Sequence, residues 1–228
     1  MEKESVCYFL SFPSRFSPFE SLFRTKHCPN LTMSFVSEFL TLPQAHKLFA
    51  EKSSLLFKDP YVDKCVGCLA GGLMGDAIGS VAEGYDPFTI VEVFGILRHC
   101  AEPSHYTDDT QMFLGLVKSL TELGSLSAEH VAKTHSDMFE PSRGYGSGAM
   151  NALEGVKDGK DYRKTATMVF PDGSFGNGSA MQIGPIGLAF RHASPSVFMD
   201  AIRGAVLSTH VHPASIDAAF CLAWMVRS

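Results

Sequence analysis

The sequence has no stretch of about 20 consecutive apolar residues, the length a membrane-crossing helix needs, so no span is expected. It has no basic excess: 19 Lys and Arg stand against 24 Asp and Glu, a formal net charge of -5. No overall positive field therefore draws the chain to DNA or RNA. An anionic ligand must be held locally, by backbone amides, helix N-termini or a bound cation. Period-two alternation, which marks half-buried strands, is missing, and so is any internal repeat. No G-K-[ST] closes either glycine-rich turn, which excludes a P-loop. No strand leads into a G-x-G-x-x-G, which excludes a dinucleotide fingerprint.

What is present describes a folded chain. At 228 residues, one domain with a sizeable core is expected. Hydrophobic residues make up 45% and charged residues 19%, an ordinary globular balance. The six cysteines are irregularly spaced, which speaks against a disulfide framework and for a reducing compartment. Cys65 and Cys68 form a lone C-x-x-C, read as two small residues packed at a helix start rather than as a zinc or redox motif. The first 33 residues are rich in Phe and Ser and carry Arg15, Arg24 and Lys26, but Glu2, Glu4 and Glu20 interrupt a transit-peptide pattern. Met33 offers an alternative start. Residues 1–58 are assigned to an N-terminal extension, with one short helix within 34–57, and residues 59–228 to the folded domain.

From residue 59 onward, helix-length segments alternate with glycine-rich turns. The first predicted helix covers 63–83 and contains Gly67, Gly71, Gly72, Gly75 and Gly79. Each glycine costs up to about 1 kcal/mol in a helix interior, so their number predicts close approach of another backbone. Asp76, Ser80 and Glu83 follow at i, i+4 and i+7, placing polar groups on one face of an otherwise apolar, buried helix. For Asp76 itself a structural hydrogen-bonding role is expected. The second helix begins at Thr107 or Asp108 and ends near Gly124, with Met112, Leu116 and Leu120 recurring every four residues. Further helices are predicted at 128–139, from the turn at 142–148 to Leu153, over 179–192 with Pro185 starting or breaking it, and from a Ser196 cap to Leu207. The last carries Ile216, Phe220 and Trp224, an apolar face expected to need a partner beyond Ser228.

Three features carry chemistry. Tyr106-Thr107-Asp108-Asp109-Thr110 sets two adjacent carboxylates between hydroxyls at a helix start, a set that suits a hard cation such as magnesium. Alternatively, Thr107 is simply an N-cap and the two aspartates complement the helix dipole. The turns at 142–148 and 172–178 can wrap a phosphate with consecutive amides, and Tyr145 and Phe175 can stack on a base or ribose. Plain glycine turns with packed aromatics are the rival reading. His210, with His212 two residues on, follows a helix end, where a phosphate contact or a structural role is open to it.

In combination these motifs change the reading. Gly67-Cys68-Leu69-Ala70-Gly71, then Gly75-Asp76-Ala77-Ile78-Gly79-Ser80 and Glu83, resemble the opening helix of the ADP-ribosylglycohydrolase family. Thr107-Asp108-Asp109-Thr110 resembles its metal motif, and Gly173 through Met181 its substrate loop. Arg143-Gly144-Tyr145-Gly146 and Thr209-His210 also fit, and the pattern is most similar to the branch called ADP-ribosylhydrolase 3. The resemblance covers residues 63–228. It implies an all-α orthogonal helical bundle and a monomer bound to no membrane and no specific nucleic acid. It implies hydrolysis at the anomeric carbon of ADP-ribose in serine-modified proteins, poly(ADP-ribose) or O-acetyl-ADP-ribose, in cytoplasm, nucleus or mitochondrial matrix.

It further implies two Mg2+ ions, with Thr107, Asp108 and Asp109 as ligands and Glu83 as both ligand and catalytic group on a mobile flap. Asp108 would also meet substrate. Asp172, Gly173, Ser174, Phe175, Gly176, Asn177 and Gly178 would hold the diphosphate and distal ribose, with His210 beside them. Phe175 stands where the branch commonly has tyrosine, so stacking survives and a phenol hydrogen bond does not. The family's C-terminal D-x-D-T motif has no counterpart after Thr209-His210. A truncated member is therefore expected, its last helices missing, its second ion poorly held and its own turnover low. A catalytically dead binder or a crystallin-like structural relative is the alternative.

Overall fold

Proline, capping side chains and glycine divide this chain into helices. The computed structural model describes residues 60–101 and 104–228, and no strand occurs among them. What was expected of residues 1–58 lies outside the described residues. Within them the α-helices are α1 Pro60–Gly79, α2 Pro87–Val93, α3 Asp108–Leu123, α4 Ala128–Met138, α5 Ser147–Lys157, α6 Tyr162–Thr165, α7 Gly178–Gln182, α8 Gly184–Ala189, α9 Pro195–Val206 and α10 Pro213–Arg227. The all-α expectation holds.

The helix at the centre is α3. Thr107 caps it, Gly124 closes it in the left-handed conformation, and 11 of its 16 residues are buried, so it is enclosed on nearly every side. Against one side packs α4, where Gly115 leaves room for the His135 ring; an added Cβ would collide with it. The His135 Nε2–H donates to the Met112 carbonyl at 2.9 Å, and complete burial lowers its pKa to about 4, so the ring is neutral. The main core joins Leu116 and Leu120 to Ile183 and Ile186, with Phe198 and Ile202 from α9. Fully burying a side chain such as Phe198 contributes about 1.5–3 kcal/mol.

Several boundaries differ from expectation for physical reasons. The helix predicted over 179–192 is broken at Ile183, and Pro185 sits in the first turn of α8. The cap of α9 is Ser194, whose Oγ accepts the Val197 N–H at 3.5 Å; Ser196 lies inside the helix after Pro195. In α5 the helix runs four residues past Leu153. The short α2 and α6 escaped prediction because one or two turns carry no periodic signal. On α10 the fully enclosed face is Ser215, Ala219 and Ala223, one residue away from the expected stripe. Small residues are needed there because α8 comes close: a Cβ on Gly187 would stand 2.6 Å from the Ala223 carbonyl. Ile216 and Phe220 flank that contact, and Trp224 meets Phe198 edge-on at 6.0 Å.

The largest correction concerns α1. It ends at Gly79, a single 3-10 turn follows at Ser80–Ala82, and Glu83 is extended at ψ 133°. Only Cys65 is buried along α1, so this is not a buried helix. Gly67, Gly71, Gly75 and Gly79 meet nothing within 4 Å, and no backbone approaches them among the described residues; Gly72 meets only the Phe113 ring, at 3.8 Å. The packed side is formed by Cys65, Cys68 and Leu69 against Phe113 and Leu188. As expected, Cys65 and Cys68 are small residues packed near a helix start. By length and composition alone, Pro60–Ala82 is apolar enough to cross a membrane, which counting consecutive apolar residues missed. Its bonds tie it to the bundle instead: the Tyr61 hydroxyl donates to the Leu188 carbonyl at 2.9 Å, and Asp76 binds α3.

Candidate functional site

The head of α3 is built around Asp76. Its Oδ2 accepts the Thr107 N–H at 2.9 Å and the Thr110 N–H at 3.1 Å, and its Oδ1 accepts the Thr107 hydroxyl at 2.8 Å. A carboxylate from α1 thus satisfies amides that the helix start would leave without partners. The structural role expected of Asp76 is what the bonds show. Thr107 is the N-cap, its hydroxyl oxygen also accepting the Asp109 N–H at 3.4 Å.

Asp108 and Asp109 fill the first two helical positions. Asp108 is buried to 9% exposure, and its pKa rises from 3.8 to about 6. Desolvation is the main cause, followed by the Asp109 charge and then, more weakly, Glu83 and Asp76. The Asp109 pKa is also raised, by burial first and then by Asp76 and Glu83. Burial and neighbouring negative charge thus outweigh the favourable field of the helix N-terminus. Glu83, exposed beyond the 3-10 turn, lies within electrostatic reach of both.

The segment 140–148 closes one side of this acidic head. Gln111, one turn into α3 and buried, accepts the Tyr145 hydroxyl at 2.8 Å and the Glu140 N–H at 3.0 Å through its Oε1. The Arg143 guanidinium lies 3.7 Å over the Tyr106 ring and donates to the Tyr106 carbonyl at 3.1 Å. Between these anchors Gly144 takes φ 92°, and a Cβ on it would stand 3.9 Å from Asp108 Oδ1. Gln111 was not singled out from the sequence. Its signal was a polar residue bordering the apolar run that begins at Met112, one turn after the cap.

The second glycine turn lies alongside. A Cβ on Gly148, at the start of α5, would reach Ser174 Cβ at 3.6 Å, and Met181 of α7 packs against the cluster formed by Met112, Tyr145, Ala149 and Leu153. Gly173, at φ 90°, is pressed against the start of α10, where a Cβ would stand 2.6 Å from the His212 nitrogen. Ser174 Oγ accepts the Gly176 N–H at 3.0 Å, and the Gly176 carbonyl accepts the Ser215 hydroxyl at 3.3 Å. Asp172, Phe175, Gly176 and Asn177 are exposed, while Gly173 and Gly178 are buried. The His210 ring fills the space a Gly178 side chain would need, and burial lowers its pKa to about 4. Its Nδ1 is buried without a hydrogen-bond partner.

The structure therefore gathers Thr107, Asp108 and Asp109 with Glu83 in electrostatic reach, and separately gathers 172–178 with His210. The segment 144–148 bridges the two groups. The donors at the α3 head are all oxygen, as a hard cation requires. Asp109 Oδ1 is buried with no hydrogen-bond partner, and the raised pKa of each aspartate reflects burial first and neighbouring negative charge second, both of which a cation would offset. In chemistry the residues fit magnesium, which takes one or two carboxylates and completes its shell with water. Among the described residues no three His, Cys, Asp or Glu side chains close on one point, so a fully protein-built cage is not formed.

The ADP-ribosylglycohydrolase family model matches residues 58–228. ADP-ribosylhydrolase ARH3 of Homo sapiens is 34% identical over 143 residues, covering 54% of this chain and 39% of that protein. The Mus musculus ADP-ribosylhydrolase ARH3 is 32% identical over 140 residues, covering 54% and 38%. The ADP-ribosyl-[dinitrogen reductase] glycohydrolase of Rhodospirillum rubrum is 29% identical over 172 residues, covering 72% and 57%. The chain thus spans about two fifths of the length of the ARH3 proteins it matches.

Proposed function

From the premise that this chain belongs to the ADP-ribosylglycohydrolase family, we propose that it is a magnesium-dependent ADP-ribosylhydrolase cutting the bond at the anomeric ribose carbon. The supporting observation is the α3 head, where Asp109 Oδ1 is buried without a partner beside an Asp108 held near pKa 6. Serine-linked ADP-ribose, poly(ADP-ribose) and O-acetyl-ADP-ribose are the proposed substrates, after the similarity to the ARH3 proteins.

Thr107, Asp108 and Asp109, with Glu83, would hold magnesium with water completing its shell, and a second ion would be poorly held. Bound there, magnesium would orient ribose hydroxyls and stabilise charge developing in the oxocarbenium-like transition state. Glu83 takes a proton from the attacking water or orients it. The turn 172–178 grips the diphosphate and distal ribose, Phe175 stacks, and neutral His210 borders the ligand.

Calorimetry with ADP-ribose, with and without magnesium, run beside hydrolysis assays on the three substrates, tests this. The expected result is magnesium-enhanced binding with slow turnover. Glu83→Gln is expected to keep binding and abolish turnover, and wild-type rates from it would overturn the assignment. Asp108→Asn is expected to weaken magnesium binding at least about tenfold, the loss of one charged ligand. Binding without turnover would identify a catalytically dead relative, and absence of ADP-ribose binding a structural one.

A further inference from the structure

The chemistry proposed above leaves His212 unused, yet the ring is engaged on two sides. As N-cap of α10, its Nδ1 accepts the Ala214 N–H at 3.2 Å. An amide N–H only donates, so Nδ1 carries the lone pair and a neutral ring holds its proton on Nε2. The same ring lies against Phe175, with centroids 3.8 Å apart and planes inclined by 39°. Phe175 is 77% exposed. A single exposed aromatic residue is unremarkable in itself. This one is held: the turn that carries it is pressed onto the His212 backbone at Gly173 and tied to Ser215 at Gly176. The helix cap orients the imidazole, and the imidazole supports the phenyl ring.

We propose that His212 is a positioning residue that holds Phe175 as a rigid shelf for the nucleobase of a nucleoside-diphosphate ligand gripped by the 172–178 turn. The inference rests on the proposed role of that turn. A π-face accepts any base, so the shelf adds affinity without hydrogen-bond specificity. A ring already immobilised loses less freedom on binding than a free one, and that is what the His212 contact supplies.

Two substitutions separate the ring from the cap. His212→Asn keeps a good N-cap acceptor and removes the ring. His212→Phe keeps a ring beside Phe175 and removes the acceptor. Calorimetry with ADP-ribose and thermal melts on the whole chain read the outcome. His212→Asn is expected to retain the wild-type Tm and weaken ADP-ribose binding about three- to tenfold, a part of what base stacking supplies. His212→Phe is expected to lower Tm and bind ADP-ribose more tightly than His212→Asn. In a Phe175→Leu background, His212→Asn should have no further effect on affinity, because the two residues act as one unit.

Unchanged affinity in His212→Asn, or losses that simply add in the double variant, overturns the proposal. If His212→Phe fails to fold, the cycle with Phe175→Leu still decides. A wild-type chain that binds no ADP-ribose overturns the proposed function and this inference together. Binding by wild type with an unchanged His212→Asn overturns this inference alone.

Discussion

Asp76 accepts three hydrogen bonds from the start of α3, two from amides and one from the Thr107 hydroxyl. Removing it leaves those donors in a half-buried place, so Asp76→Ala should cost about 1–3 kcal/mol, measured by urea unfolding. The same variant should weaken magnesium binding, since the cap orients Asp108 and Asp109. At Asp108 the sign of the pH effect follows from burial. Its pKa is raised from 3.8 to about 6 in the fold, so between those values the folded chain keeps a proton that the unfolded chain has lost. Without metal, this group therefore makes stability fall as pH rises through that interval, and magnesium affinity rise. Melts from pH 4 to pH 8 on wild type and Asp108→Asn test it: the variant should lack that component, and magnesium should raise the wild-type Tm most above about pH 6.

At the scale of elements, the helices are held by small residues and by caps. Glycines at 115 and 187 let α3 meet α4, and α8 meet α10, at distances a methyl group would prevent. Caps fix where each helix begins, and two nearby serines test that assignment. Ser194 caps α9, so Ser194→Ala should destabilise by about 0.5–2 kcal/mol. Ser196 makes no cap bond, and Ser196→Ala should stay within about 0.5 kcal/mol of wild type by the same unfolding measurement. Equal losses from the two would show the helix starting elsewhere.

Over the whole molecule, the site is a junction. Carboxylates from α1 and α3 and two glycine turns meet where α3, α5, α7 and α10 come together, so a ligand there couples to the stability of the bundle. Magnesium at 100 times its dissociation constant should stabilise the chain by about 2.7 kcal/mol, read as an increase in Tm. Asp108→Asn should abolish most of that gain at the same concentration. A magnesium effect that survives in the variant would place the cation elsewhere.

Much of this was legible in the residues themselves. Helical periodicity, the Thr107 cap, the Gly124 stop and the helix start marked by Pro185 are local properties, decided by dihedral preference and hydrogen bonding over a few residues. The motif set 76–83, 106–110, 172–178 and 210 was visible as residue types and through the family resemblance, and its chemistry remains a proposal. Tertiary structure alone decided the rest. Which face of α1 packs, that Asp76 rather than solvent caps α3, and that Gln111 holds the 140–145 segment all depend on neighbours distant in the chain. So does the one-residue shift of the enclosed face on α10, set by how closely α8 approaches at Gly187. Sequence determines what each segment can be; contact between segments selects the face it presents, because burial energy depends on the partner and not on the segment alone.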